Sequence, residues 1–169
     1  LLERAEAAVA VTVARCRGVE VERVLDAPRN LVWRCWTEPK HLMPWFCPAP
    51  WTVVDARIDL HVGGEFFNMM QSPEGEKFPN DGVYLEVVKE SRLVWTNAYK
   101  VGWLPNPAAQ PMLVTIFLDF ADAGAGKTQY TARALHWNAD AVKQHEAMGF
   151  HEGWGIATDQ LVAHARTMA

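Results

Sequence analysis

Cysteine is scarce in this chain and arranged neither to staple nor to ligate. Cys16, Cys35 and Cys47 form an odd count without CxxC spacing, which argues against both a disulfide framework and a structural zinc site. An excess of positive charge is also missing: 16 Lys and Arg stand against 20 Asp and Glu, a net charge of −4. With no local basic cluster either, nothing marks a nucleic-acid partner. No apolar run reaches the ~18 residues of a transmembrane helix; the apolar start, LLERAEAAVAVTVARCRG, is interrupted by Glu3, Arg4 and Glu6. A reduced, cytoplasmic protein without a membrane partner is expected. Catalytic signatures are absent as well. The chain holds no GxSxG, HExxH, CxxC or Walker pattern, so no nucleophile or base comes with an orienting partner.

One stretch approaches a metal motif and misses it. HEAMGFHEGWG (145–155) carries two His-Glu pairs, but the HExxH signature needs histidines at i and i+4 on one helix face. Position i+4 from His145 is Gly149, and the next histidine, His151, is at i+6, about 600° of rotation away. A regular helix cannot bring both to one ion, so neither a metal nor another cofactor is expected.

Tryptophan, in contrast, is abundant. Eight are present: Trp33, Trp36, Trp45, Trp51, Trp95, Trp103, Trp137 and Trp154. Each brings a large apolar area with one N–H that needs a partner, which suits a thick core or the wall of an apolar pocket.

The chain length is that of one domain with a real core. VEVERVLDAP (19–28) alternates Val19, Val21 and then Val24 with charged residues and reads as a strand leaving into a turn. Asp26 is placed to cap PRNLVWRCW, whose Leu31, Val32, Cys35 and Trp36 fall on one helix face. After Thr37, EPKHLMPWF makes a second short helical piece. From residue 51 the period becomes two. Thr52, Val54, Ala56 and Ile58 form one face of a strand, Gly63-Gly64 turns the chain, and Phe66, Asn68 and Met70 share a face of the next. SPEGEKFPNDG reads as a connection, GVYLEVV and RLVWTNAY as strands, and KVGWLPNPAAQP as an irregular rim or lid. Two more strands follow, with Ile116, Leu118 and Phe120 on one face of the first, and Thr128, Tyr130, Ala132, Ala134 and His136 on one face of the second. Asn138 is the expected N-cap of a short helix that Gly149 ends. The final helix then carries the apolar stripe Phe150, Trp154, Ala157, Leu161, Ala165 and Met168.

The implied fold is α+β: a curved antiparallel sheet of about six to seven strands wrapped around a long C-terminal helix, with two short helices after the first strand. This order, together with DAPRNLVWRCWTEPKHLMPWF (26–46), the Gly63-Gly64 turn, PNDGVYLEV (79–87), RLVWT (92–96) and HEAMGFHEGW (145–154), resembles the activator of heat-shock-protein-90 ATPase homologue family. That family lies within the START-related, birch-pollen-allergen-like SRPBCC superfamily of helix-grip folds. The resemblance covers about residues 19 to 165, which makes residues 19–169 a single domain and 1–18 an N-terminal extension, read only as a helix or extra strand.

The resemblance implies a ligand cavity between the sheet and the C-terminal helix. Strand alternation assigns to it Asn68, Met70, Trp95, Ile116, Tyr130 and His136. The helix adds Trp154 and Leu161, the covering loop Trp103, and the region near the mouth Trp45 and Phe46. Asn68 and His136 depart from the apolar residues expected at such positions, and each needs a partner, because an unsatisfied buried polar group costs about 1–3 kcal/mol. Non-catalytic binding of a small hydrophobic molecule is the expected function. Two alternatives are a chaperone-associated module that stimulates a heat-shock-protein-90-type ATPase and an enzyme acting in the cavity with His136 as base beside Tyr130. A homodimer contact would use the outward Leu113 and Phe117.

Overall fold

The computed structural model describes residues 18–169; the extension before Gly18 lies outside the described residues. The first strand, β1 (Gly18–Leu25), leads into α1 (Arg29–Thr37) and α2 (Pro39–Leu42). The strands β2 (Thr52–Ile58), β3 (Glu65–Gln71), β4 (Lys77–Val88) and β5 (Arg92–Thr96) follow, then a small hairpin of β6 (Tyr99–Lys100) and β7 (Leu104–Pro105). The chain ends with β8 (Val114–Asp122), β9 (Thr128–His136), α3 (Ala139–Ala147) and α4 (Phe150–Arg166). Seven strands form one antiparallel sheet in the order β1-β9-β8-β5-β4-β3-β2. The sheet, α1 and α4 enclose the core, a helix-grip arrangement.

Helix α1 buries Leu31, Val32, Cys35 and Trp36 as its spacing predicts, and Trp33 besides. It stops at Glu38 because Pro39 disfavours helical backbone in the residue before it. Pro39 then opens α2 at a position where its missing N–H costs nothing. The expected cap by Asp26 does not form: Pro28 is the N-cap and gives no side-chain hydrogen bond. Asp26 instead pairs with Arg166, whose Nε also donates to the Asp26 carbonyl at 3.2 Å. The end of α4 is thereby fastened to the turn after β1.

Several strand faces differ from simple alternation. In β1 the inward set is Val19, Val21, Arg23 and Leu25, while Val24 is exposed. Arg23 spans to α4, donating to the Gly155 carbonyl at 3.3 Å and to the Asp159 carboxylate at 2.6 Å. In β2 a bulge between Val53 and Asp55 switches the face, so Val53 is buried and Val54 exposed before Ala56 and Ile58 turn inward. A bulge inserts one residue and inverts the alternation beyond it. The stretch KFPNDG, expected as a connection, is paired strand, and β4 runs for 12 residues.

Gly64 is fixed by crowding, since a Cβ there would lie 2.0 Å from the Asp59 carbonyl oxygen. Gly149 adopts φ +85°, the left-handed conformation that lets the chain leave α3 and enter α4 at once. Asn138 caps α3 as expected, its side chain accepting from the Ala141 N–H at 2.8 Å.

Candidate functional site: an aromatic cavity under the C-terminal helix

Between the sheet and α4 lies a cavity of about 290 Å³. Its floor comes from Met70 of β3, Asn80 of β4, Trp95 of β5 and Ile116 with Val114 of β8. The roof is Phe150, Gly153, Trp154 and Ala157 of α4, and the side wall is Trp36, Trp45, Phe46 and Pro48. His145 and the largely exposed Met148, at the joint of α3 and α4, complete the rim.

The aromatic residues form one connected wall. Trp36 meets Trp45 edge to face at 4.7 Å and stacks near Trp154 at 6.2 Å. Phe46 touches Trp36, Trp45 and Phe66, and Phe66 stacks on Trp95 at 4.4 Å. Pairs of this kind add about 0.5–1.5 kcal/mol each beyond the area they bury. The Trp45 indole is satisfied by the Cys35 carbonyl at 3.1 Å. Those of Trp36 and Trp95 are buried without a partner among the described residues.

Six of the eleven expected pocket residues line the cavity: Trp45, Phe46, Met70, Trp95, Ile116 and Trp154. The other five stand elsewhere. Trp103 is half exposed on the β6–β7 hairpin, packed against Tyr99 at 6.1 Å and close to Gly63. Tyr130 and Leu161 are inward but fully packed, Tyr130 against Phe120 at 5.8 Å. Burial raises the Tyr130 hydroxyl far above its ordinary range, so it stays protonated at neutral pH. Asn68 is completely buried and its Oδ1 accepts from the Asn80 amide at 3.0 Å. It is Asn80 that reaches the cavity.

His136 lies behind the lining, in a chain of hydrogen bonds. Its Nδ1 is 3.0 Å from the Leu113 carbonyl and its Nε2 is 2.8 Å from His145 Nδ1. Burial lowers the pKa of His136, and burial with the neighbouring His136 ring pushes that of His145 down to about 4. Both rings are therefore neutral at physiological pH. Asn68 Oδ1 and both His136 nitrogens thus find partners in neighbouring elements, while Asn68 Nδ2 is buried without one among the described residues.

His145 and His151 face different surroundings, with the Phe150 ring between them at 4.8 and 5.1 Å. Among the described residues no three His, Cys, Asp or Glu side chains converge as a metal site. Outward Phe117, a candidate dimer contact, is half buried between the guanidinium groups of Arg92 and Arg133, at 5.5 and 5.3 Å. No helix among the described residues is long and apolar enough to cross a membrane.

Of the polar residues on the lining, sequence reasoning missed Asn80 and His145. Extending β4 back through FPNDG would have exposed the alternation of Asn80, Gly82 and Tyr84 and so placed Asn80 inward. For His145 no local signal exists: its face is chosen by the fold of α3 onto β9.

Known structures share this architecture. A crystal structure of a Nitrosomonas europaea protein is 44% identical, with 90% of this chain and 96% of that one covered and a TM-score of 0.85. A Mycobacterium smegmatis protein is 25% identical over 89% and 91% of the two chains, with a TM-score of 0.71. The solution structure of the AHSA1-like protein from Aeromonas hydrophila is 18% identical over 89% and 93%, with a TM-score of 0.66, and bears on the fold alone. None of the curated proteins matches the chain. Residues 26–166 match the family described as Activator of Hsp90 ATPase homolog 1-like protein, and the chain belongs to that family.

Proposed function

We propose that this protein binds a small hydrophobic molecule, without chemical transformation, in the cavity between the sheet and α4. The observation that carries the reading is the aromatic enclosure itself: a space of about 290 Å³ whose lining is mostly apolar and, among the described residues, contains no Lys, Arg, Asp or Glu. That volume sits at the lower end of the ~300–1,000 Å³ typical of ligand pockets, and an apolar lining with few polar groups is their usual composition. Among the described residues the hydrogen-bonded pair nearest the lining is a poor fit to acid–base catalysis. His145 has an orienting partner in His136, but its low pKa makes it a weak base at neutral pH, where general bases work best with a pKa near the operating pH. The cytoplasm is the compartment proposed, in keeping with the free thiols of Cys35 and Cys47.

The test is titration with N-phenyl-1-naphthylamine, whose emission rises in apolar surroundings, combined with mass spectrometry of an organic-solvent extract of the purified protein. A saturable one-to-one signal, or a stoichiometric apolar compound in the extract, is expected. Absence of both would overturn the reading.

A second reading, stimulation of an Hsp90-type ATPase, draws on the family's name and on one surface feature. Val101, Trp103 and Leu104 at the β6–β7 hairpin are each at least half exposed, an apolar tip suited to a protein partner. Its test is the rate of ATP hydrolysis by the chaperone with and without this protein. A stimulation that Trp103→Ala abolishes would favour it, and no stimulation would remove it.

A further inference from the structure

We infer that the cavity selects neutral aromatic molecules bearing a hydroxyl group, with His145 Nε2 accepting the ligand's hydrogen bond. This rests on the cavity-binding reading and deepens it. The inference begins at the Leu113 carbonyl, which can only accept. His136 Nδ1, 3.0 Å away, must therefore carry the proton. A neutral His136 then has a bare Nε2, and a bare nitrogen 2.8 Å from His145 Nδ1 requires that Nδ1 to be the donor. One proton on each ring is then accounted for, and His145 Nε2 is left as a lone pair. It has no partner among the described residues, and His145 lines the cavity. The backbone of the β8 entry thus fixes, through two rings, which hydrogen-bonding character the rim presents.

The opposite tautomer would set His136 Nδ1 and the Leu113 oxygen, two acceptors, against each other. A cationic His136 would relax the constraint, but burial disfavours that charge.

Across the same lining stands the Asn80 amide, whose Nδ2 donates one hydrogen to Asn68 Oδ1 at 3.0 Å and carries a second; the Trp95 Nε1–H, without a partner among the described residues, is buried. The cavity thus offers the His145 acceptor and an amide that can both donate and accept, on apolar walls. A hydroxyl oxygen both donates and accepts, so a hydroxylated ring suits this inventory. A carboxylate does not: it would bring acceptors against the His145 lone pair, and among the described residues no Lys or Arg lines the cavity to hold its charge.

The experiment compares 2-naphthol, 2-methoxynaphthalene and 2-naphthoate by calorimetric titration at neutral pH, with wild type and His145→Phe. The methoxy compound keeps the ring and the oxygen but cannot donate. Wild type is expected to bind 2-naphthol about tenfold more tightly than 2-methoxynaphthalene, the worth of one such hydrogen bond, and to bind 2-naphthoate most weakly. In His145→Phe the two neutral compounds should bind alike. Equal binding of both by wild type, or a preference for 2-naphthoate, would overturn the inference while leaving the cavity reading intact. A preference that survives in a folded His145→Phe would overturn the assignment to His145. Binding of none of the three would overturn the cavity reading and the inference with it. Because the first comparison needs only wild type, a variant that fails to fold leaves the test decisive.

Discussion

Trp36 of α1 and Trp154 of α4 lie with ring centroids 6.2 Å apart and planes at 27°, and both face the cavity. This contact joins the first helix to the last, so the pocket wall is also part of what closes the fold. Trp36 is almost wholly buried. Trp36→Ala should therefore cost about 3–5 kcal/mol, measured by urea unfolding, as well as any ligand affinity. Trp154 is only half buried, and Trp154→Ala should lower affinity for N-phenyl-1-naphthylamine with a smaller loss of stability.

Gly153 and Gly155 flank Trp154 within α4. Among the described residues, a Cβ at Gly155 would meet nothing within 4 Å, and one at Gly153 would reach only Pro48 at 3.9 Å, so close approach of the helix to the sheet is not their reason. Gly155→Ala should stabilise the protein by about 0.5–1 kcal/mol, the helix-propensity gain, since Arg23 contacts only the carbonyl of that residue. Gly64→Ala should do the reverse and lower the melting temperature sharply, because the new Cβ collides with backbone.

Much of the fold could be read from periodicity. The alternation of Thr128 to His136 is reproduced residue for residue in β9, and the stripe from Phe150 to Ala165 is the buried face of α4. What failed to show were events that periodicity cannot encode. The bulge at Val53 inverts a face in one step, and Pro79-Asn80-Asp81-Gly82 has turn composition yet is held as strand by pairing with β3. In the pocket, inwardness was legible but depth was not. Tyr130 and Leu161 point inward and are overlaid by other side chains, whereas His145 reaches the lining only because α3 folds back over β9 and bonds His136.

Buried His136 and half-buried His145 set a pH dependence. His145 falls from an ordinary 6.5 to about 4 in the folded protein, His136 is shifted the same way, and burial lowers His41 also. As pH drops below 6.5 the unfolded chain takes up protons that the folded chain does not, so stability is lost progressively. The contribution of His145 is complete above about 6.5 and gone by about 4. Chemical denaturation between these values should show falling stability for wild type and a shallower fall for His145→Phe. Equal slopes would contradict the assignment.

Tyr84 is fully buried and its hydroxyl finds no partner among the described residues. Removing an unsatisfied polar group relieves its desolvation cost. Tyr84→Phe is therefore expected to be neutral or stabilising by up to about 1 kcal/mol, read from urea midpoints at constant m-value.

The central claim is that ligand enters the cavity under α4. It is tested most directly by following the eight indole N–H resonances of the tryptophans by heteronuclear NMR during titration with 2-naphthol. Saturable shifts at Trp36, Trp95 and Trp154, with Trp103 and Trp137 unmoved, are predicted from their positions on the lining and on the exposed surface. Shifts confined to Trp103 and Trp137, or no saturable shift at the lining tryptophans, would contradict it.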